Sequence, residues 1–196
     1  MAGSTQSSRY SAVAITLHWV IAICIICMIP LGFYMSGLPD DKVKLQFELY
    51  QIHKSIGITI LLLSVLRVIW RLTHKAPPLP ADMPAWEKAG AKLTHYAFYF
   101  LILAIPLVGW AMVSTEKYYI PTVLYWTIPW PHIAIFDNMA SKGAWNEFFD
   151  SAHEVLAILV LPLLALHIGA AFKHHFYERD DILAGMVPGV RPLGRK

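Results

Sequence analysis

Four long apolar stretches dominate the pattern of hydrophobic and polar positions along the chain. They cover about residues 13–35, 52–72, 95–115 and 152–173. A helix that crosses the hydrocarbon core of a bilayer needs about 20 predominantly apolar residues, and each stretch reaches that length. Backbone polar groups inside a bilayer must be satisfied within the protein, so the stretches predict helices. The predicted fold is all-α, a single integral membrane domain over residues 1–196 built as a four-helix bundle.

The composition agrees with a membrane protein and excludes several other classes. Hydrophobic residues make up 57% of the chain and charged residues 15%, against roughly 25% charged in soluble domains. A disordered chain, a coiled coil and a disulfide-stapled secreted module are excluded. The net charge of +3 gives no reason to expect nucleic acid as a partner. Because the first stretch is longer than the apolar core of a signal peptide, about 7–15 residues, we expect it to be retained.

The distribution of basic residues predicts the orientation of the chain in the membrane. One side holds the N-terminus, the loop around residues 73–94 and the C-terminal tail, with eleven basic residues that include every arginine: Arg9, Arg67, Arg71, Lys75, Lys88, Lys92, Lys173, Arg179, Arg191, Arg195 and Lys196. The other side holds five, all lysines: Lys42, Lys44, Lys54, Lys117 and Lys142. The excess of positive charge predicts that both termini are cytoplasmic.

Two connections carry further information. Residues 76–84, A-P-P-L-P-A-D-M-P, are too rich in proline to be helical throughout, and we expect an extended cytoplasmic connector. Residues 116–150 form the longest outer connection and are rich in aromatic side chains, which suit a membrane–water interface. These are Tyr118, Tyr119, Tyr125, Trp126, Trp130, Phe136, Trp145, Phe148 and Phe149. We expect part of this segment to lie on the outer surface as a lid.

Five histidines lie in or at the ends of the apolar stretches: His18, His53, His95, His153 and His167. Ionisable residues at such positions are costly and usually functional. His153 and His167 are 14 residues apart, nearly four helical turns, so they face the same way at depths about 21 Å apart. His18 begins the first helix on the inner side, level with His167. His53 begins the second helix on the outer side, level with His153. The sequence therefore predicts two histidine pairs at two depths.

Two stacked pairs of histidines are what two b-type haems require, because the imidazoles take both axial positions of each iron. A four-helix core can enclose such a cofactor. Zinc is the competing metal, but it usually takes four ligands, and no such cluster is evident at one depth. No C-x-x-C-H motif is present, so c-type attachment is excluded. The bundle is therefore predicted to hold two haem b sites in its core.

Other polar residues on the inner side have two interpretations each. Arg67 and Arg71 could pair with a haem propionate, or they could anchor the helix by the positive-inside rule. His95 could be an alternative ligand to His18, or, as we favour, a polar group near the inner haem. His174, with His175, could bind or protonate a quinone, or form a basic cap at the interface, which is slightly favoured.

Several motifs resemble those of the prokaryotic cytochrome b561 family over nearly the whole chain from Arg9. They are L-H-W at 17–19, I-H-K-S-I-G-I at 52–58, R-V-I-W-R at 67–71, H-Y-A-F-Y at 95–99, H-E-V-L-A at 153–157, L-H-I-G-A-A-F-K-H-H-F at 166–176 and R-D-D-I-L-A-G-M-V-P at 179–188.

The resemblance implies a dihaem protein of the bacterial inner membrane that passes electrons between a donor and the quinone pool. It implies that His18 and His167 hold the inner haem and that His53 and His153 hold the outer one. Members of one type oxidise superoxide at the outer face and reduce ubiquinone, while relatives are the cytochrome b subunits that anchor hydrogenases and formate dehydrogenases. A quinone-side role for His174 would fit this pattern.

The outer charge departs from what superoxide oxidation favours. Five outer lysines face eight outer carboxylates, a net charge of −3, whereas positive charge would steer the superoxide anion inward. The leading prediction is an electron-transfer cytochrome that takes electrons from superoxide or another external donor. The alternatives are a dihaem anchor that relays electrons for a separate dehydrogenase or hydrogenase, and a transporter whose histidines carry protons or metal.

Overall fold

The architecture is taken from a computed structural model that describes residues 9–118, 120–137, 139 and 141–190. Arg191, Arg195 and Lys196, which entered the charge argument, and Tyr119, which entered the aromatic one, lie outside the described residues.

Among the described residues, four helices are long and apolar enough to cross a membrane. They are α1 (Ala12–Ser36), α2 (Val43–Thr73), α3 (Ala85–Ser114) and α4 (Lys142–Phe172). Successive helices run in opposite directions, so one end of the bundle carries the start of α1, the end of α4 and the connector between α2 and α3. We call it the terminal end, and the opposite end the hairpin end. The prediction of an all-α membrane bundle is confirmed.

Three helices begin well before the apolar stretches do. The predicted starts at 52, 95 and 152 are wrong, because α2 begins at Val43, α3 at Ala85 and α4 at Lys142. The added turns are rich in polar and charged residues, which extend a helix beyond the apolar stretch without adding to its hydrophobic signal. Consequently His53, His95 and His153 lie inside their helices and do not begin them.

The helices pack in sequential order, and the fourth is the least enclosed. α1 packs along α2, α2 along α3, and α3 along α4, whereas the described parts of α4 make only sparse contact with α1 and α2. Ile21, Ile60 and Ile102 form the buried core between the first three helices. In α4 only Val160 is buried among the described residues. The first two helices and the fourth therefore leave a space between them, bordered by α3.

The connection between α3 and α4 folds at the hairpin end. It contains two short antiparallel strands, β1 (Thr122–Leu124) and β2 (Ile128–Trp130). Tyr125 and Trp126, in the turn between the strands, have φ values of 50° and 56°. The prediction that the aromatic residues 116–150 all belong to a connection is wrong at its end, because Trp145, Phe148 and Phe149 lie on α4.

At the terminal end, the segment after α4 folds back on the bundle. A π-helical turn (Lys173–Glu178) follows α4 directly and leads to the short helix α5 (Ile182–Met186). The indole nitrogen of Trp19 donates to the Met186 carbonyl at 2.7 Å, and the Tyr10 amide donates to the Gly185 carbonyl at 3.2 Å. These bonds hold α5 against the start of α1. The proline-rich connector contains no helix between His74 and Pro84.

Candidate functional site

The first histidine pair lies toward the terminal end. His18 on α1 and His167 on α4 have ring centroids 6.2 Å apart and ring planes inclined at 62°. Both side chains are half-buried. Helix α4 makes little other contact with α1, so the two rings face each other across the space between the helices.

The second pair lies toward the hairpin end, between α2 and α4. His53 on α2 and His153 on α4 have ring centroids 6.1 Å apart and planes inclined at 70°. Both are again half-buried. Since His153 and His167 share α4 and are 14 residues apart, the two pairs are separated by about 21 Å along that helix. The sequence placed these four residues in the same two pairs, and the structure brings both pairs together.

Helix α3 orients the ring of His153. Its Nδ1 lies 3.1 Å from the carbonyl oxygen of Ile105, so Nδ1–H donates to that oxygen and the unprotonated Nε2 is left to act as a ligand. Hydrogen bonds of this kind fix the tautomer and direction of metal-binding histidines. Gly109 lies one turn further along α3, where an added Cβ would be 3.0 Å from Cε1 of His153. A glycine at 109 therefore makes room for the ring.

The spacing of both pairs fits a metal held between two imidazoles. Metal–imidazole bonds are about 2 Å long, so two rings bound on opposite sides of one ion have centroids about 6 Å apart. A flat cofactor around that ion needs a gap between helices, and the sparse contact of α4 with α1 and α2 provides one. The Nδ1 atom of His53 is buried and has no hydrogen-bond partner among the described residues. Each pair therefore fits the bis-histidine haem site that the sequence predicts.

His95 stands close to the pair at the terminal end. Its ring centroid is 6.3 Å from that of His167, and the Phe98 ring packs edge-on against His167 at 5.2 Å. His167 thus has His18 and His95 at nearly equal distances. Both interpretations of His95, as an alternative ligand and as a polar neighbour, are sterically open.

The two arginines of α2 differ in their surroundings. Arg67 is half-buried, and its guanidinium carbon lies 5.8 Å from the centroid of the Tyr99 ring. One of its nitrogens, Nη1, is buried with no hydrogen-bond partner among the described residues. Arg71, one turn further toward the terminal end, is exposed. A buried cationic nitrogen beside the histidine pair is a suitable partner for an anionic group, and Arg67 alone of the two offers one.

His174 belongs to a network of charged groups that the sequence did not predict. Its Nδ1–H donates to Oδ2 of Asp180 at 2.7 Å, and its Nε2 lies 3.7 Å from Oε2 of Glu87. Glu87 also accepts a hydrogen bond from Lys173 at 2.6 Å. The side chains of Asp180, Glu87 and His174 are largely buried. The network joins the start of α3 to the turn that follows α4.

His175, the neighbouring histidine, is buried in a different environment. Its ring packs edge-on against Phe176 at 4.8 Å, and its Nδ1 has no hydrogen-bond partner among the described residues. Of the two histidines, His174 is therefore the one connected to groups that exchange protons.

At the hairpin end, Lys54 follows His53 and is half-buried near Glu116. Burial raises the pKa of the Glu116 carboxyl above its usual range, and the Lys54 ammonium opposes that rise. Asp40, Asp41, Asp137 and Glu147 are exposed. An anion that approaches this end therefore meets the half-buried ammonium group of Lys54 inside a largely acidic surface.

Sequence reasoning missed the residues that support the histidines. Gly109 and Glu87 lie outside every motif quoted above, Asp180 lies in the motif at 179–188 without any role suggested for it, and no spacing relates the three to a histidine. Of the three, only Gly109 could have been suspected from the sequence, because a glycine inside an apolar helix often marks the close approach of another group.

Comparison with known proteins gives one family and several full-length relatives. The family model described as prokaryotic cytochrome b561 matches residues 9–189. The protein named "Cytochrome b561 homolog 2" from Escherichia coli (strain K12) is 32% identical over 190 residues, which cover 95% of this chain and 95% of that protein. "Cytochrome b561 homolog 1" from the same strain is 26% identical and covers 92% of this chain and 98% of its own. A Yersinia pestis protein named "Probable superoxide oxidase CybB" is 25% identical, with 93% and 98% covered.

Proposed function

Because this chain belongs to the prokaryotic cytochrome b561 family, a family of haem b-binding membrane electron-transfer proteins, we propose that it carries electrons through two b haems from a donor at the hairpin end to a quinone at the terminal end. The location proposed with it is the bacterial inner membrane, with the terminal end and both chain ends in the cytoplasm. The observation that carries the proposal is the presence of two facing histidine pairs. The ring centroids are 6.2 Å apart in the pair at the terminal end and 6.1 Å apart in the pair at the hairpin end.

Four histidines would supply the axial ligands. His18 and His167 would hold the haem nearer the cytoplasm, and His53 and His153 the outer haem. When bound, the two irons would supply reversible one-electron chemistry. The chain itself positions the ligands: α4 carries one histidine of each pair, and the Ile105 carbonyl holds His153 in the tautomer that presents Nε2.

Arg67 and His95 would serve the cytoplasmic-side haem without ligating it. The unpartnered Nη1 of Arg67 would neutralise a propionate, which would offset the cost of burying both charges. Arg71 is exposed and is better placed to anchor α2 at the interface. His95 would be a polar neighbour of His167, as their separation of 6.3 Å permits.

His174 would deliver protons to ubiquinone, the acceptor proposed here. Reduction of a quinone to a quinol consumes two protons, which a membrane protein must bring from the adjoining aqueous side. His174 is suited to hold a proton at Nδ1 and Nε2 because Asp180 and Glu87 face those two atoms. Protonation of the quinone would be followed by reprotonation of His174 from the cytoplasmic surface.

Superoxide is the leading candidate for the donor. One relative carries the name of a probable superoxide oxidase, and Lys54 beside His53 would attract the anion locally. The acidic surface around Lys54 supports a second candidate, in which an external redox protein or a dehydrogenase subunit with a basic surface docks there and the haems relay its electrons. Such a partner would co-purify with the chain, whereas superoxide would reduce the purified chain without any partner.

The test is a dithionite-reduced minus oxidised spectrum of the purified protein with haem counted per chain. We expect two b haems in the native chain, one in His153→Ala and one in His167→Ala. His74→Ala is the matched control, because His74 stacks on Trp70 outside both pairs and should leave both haems in place. Full haem content in His153→Ala, or no haem in native protein produced with ample haem, would contradict the proposal.

A further inference from the structure

The hairpin between α3 and α4 is bound to one face of α2. Gln51, which is 3% exposed, donates from Nε2 to the Pro121 carbonyl at 2.9 Å and accepts from the Val123 amide at 3.2 Å. Its side-chain amide thus pairs with the edge of β1 as a neighbouring strand would. Unpaired backbone groups at a strand edge are costly beside a bilayer. Water could not easily replace these two hydrogen bonds if the Gln51 side chain were removed.

Two further residues of α2 continue the same contact. Ser55 is 1% exposed, and its Oγ accepts from the Tyr125 amide at 2.9 Å while it donates to the Gln51 carbonyl at 2.7 Å. The hydroxyls of Thr59 and Tyr125 are 2.6 Å apart. Gln51, Ser55 and Thr59 are spaced by four residues and form one stripe along α2.

The turn that these bonds hold is strained. Tyr125 and Trp126 both adopt positive φ, a conformation in which bulky residues are genuine outliers. Strained backbone of this kind persists only where the surroundings determine it, and it concentrates at functional positions. The Ser55–Tyr125 bond acts directly on the first of the two strained residues.

The other side of the hairpin is fixed to α3. The indole nitrogen of Trp110 donates to the Pro131 carbonyl at 2.9 Å, and the Ile133 amide donates to Oγ of Ser114 at 2.9 Å. The segment Pro121–Ile133, which we call the hairpin brace, therefore ties α2 to α3. Helix α3 is also the helix that orients His153.

The stripe lies on the side of α2 opposite His53. Each residue turns a helix by about 100°, so Gln51 and Ser55, two residues before and two after His53, both point about 160° away from it. The brace therefore holds α2 from behind while His53 faces His153 in front. Rotation of α2 about its axis would move His53 out of line, and the brace resists that rotation.

We propose that Gln51 and Ser55 are positioning residues for the hairpin-end histidine pair: through the hairpin brace they fix the rotation of α2 and so the direction of the His53 ring toward His153. The inference rests on the proposed function, because it takes this pair as the axial ligands of one haem. It adds to that function a structural reason for the hairpin and its strained turn.

The experiment compares Ser55→Ala and Gln51→Met with the native protein in the ferric state. The first readout is the low-spin electron paramagnetic resonance signal of each haem, since its largest g value depends on the angle between the two imidazole planes. The second is haem retention against excess haem-scavenging apoprotein. The haem that His153→Ala loses identifies the hairpin-end signal. Ser64→Ala is the matched control, because Ser64 lies on α2 at 0% exposure and its Oγ has no hydrogen-bond partner among the described residues.

We expect both variants to shift the g value of the hairpin-end haem alone and to weaken its retention roughly tenfold, as loss of a residue that orients a ligand does. The haem at the terminal end reports that the bundle is folded and should not change. The role of the brace would be overturned if Ser55→Ala and Gln51→Met gave the same signals as Ser64→Ala, or if both haems were weakened equally. As long as the native protein holds two haems, either result leaves the proposed function standing. Native protein without two haems would overturn the proposed function instead.

Discussion

Replacement of Gly109 by alanine is the sharpest test of how the hairpin-end pair is built. The new Cβ would lie 3.0 Å from Cε1 and 3.1 Å from Nδ1 of His153, closer than carbon and nitrogen atoms normally approach. The ring has little room to yield, because Nδ1 is bound to the carbonyl of Ile105 one turn earlier on the same helix. The substitution therefore displaces the ring or breaks that bond.

The size of the effect follows from the overlap. Overpacking by a methyl group in a close-packed site costs about 1–3 kcal/mol. Since each 1.4 kcal/mol is a factor of ten in affinity, the hairpin-end haem should bind about 5- to 140-fold more weakly. The helix itself gains about 0.5–1 kcal/mol from replacing glycine by alanine, which offsets only part of the overlap in the chain without haem.

The assay is a competition for haem followed by spectroscopy. Purified Gly109→Ala is exposed to increasing amounts of a haem-scavenging apoprotein, and the haem that remains is measured by its reduced-minus-oxidised spectrum. Gly90→Ala is the matched control on the same helix, because a Cβ at Gly90 would meet no atom within 4 Å. We expect one haem to leave early in Gly109→Ala and neither to do so in Gly90→Ala.

The role assigned to Gly109 would be refuted if Gly109→Ala and Gly90→Ala lost haem along the same curve. That result would mean that His153 does not need its present position to hold a cofactor. Early loss of both haems would also refute it, because His167 is about 21 Å away along α4 and does not touch Gly109.

Three further substitutions give separable results. Arg67→Met should weaken the terminal-end haem several-fold in the same competition and leave the hairpin-end haem unchanged, because the buried Nη1 lies near the first pair alone; equal effects on both would contradict its assignment. Lys54→Gln should slow reduction by superoxide and reduce its salt dependence, but leave reduction by a neutral donor as it is. Since burial raises the pKa of Glu116, its protonated form stabilises the fold below the carboxyl's ordinary pKa, and that contribution is lost as the pH rises through the raised value. Glu116→Gln should therefore show a smaller fall in melting temperature between acidic and neutral pH than the native protein, and parallel curves would count against the buried carboxyl.

The pairing of the histidines could be predicted because it depends on helix geometry alone. A separation of 14 residues places His153 and His167 on one face, and the alternating direction of the helices then selects His53 and His18 as neighbours at the two depths. Helical periodicity is a local property, so it survives any arrangement of the loops. Ligation by those residues remains a prediction.

The supporting residues could not be predicted, because they depend on contacts between distant segments. Gln51 meets Pro121 and Val123 only after the connection between α3 and α4 has folded back, and Glu87 meets His174 only through the π-helical turn after α4. The polar turns that begin α2, α3 and α4 were missed for another reason. They follow the helical pattern but lack the apolar residues that mark a membrane span.

The position of α4 at the end of the membrane domain governs when a cofactor can be captured during synthesis. The first three helices pack on one another through Ile21, Ile60 and Ile102 and can assemble as each leaves the ribosome. His18 and His53 are then in the membrane, but each still lacks its partner, because both partners are on α4, the fourth of the membrane-spanning helices among the described residues. If the proposed function holds, a nascent chain cannot bind either haem through two axial histidines until α4 inserts into the membrane. A chain truncated before residue 153 would have neither bis-histidine site.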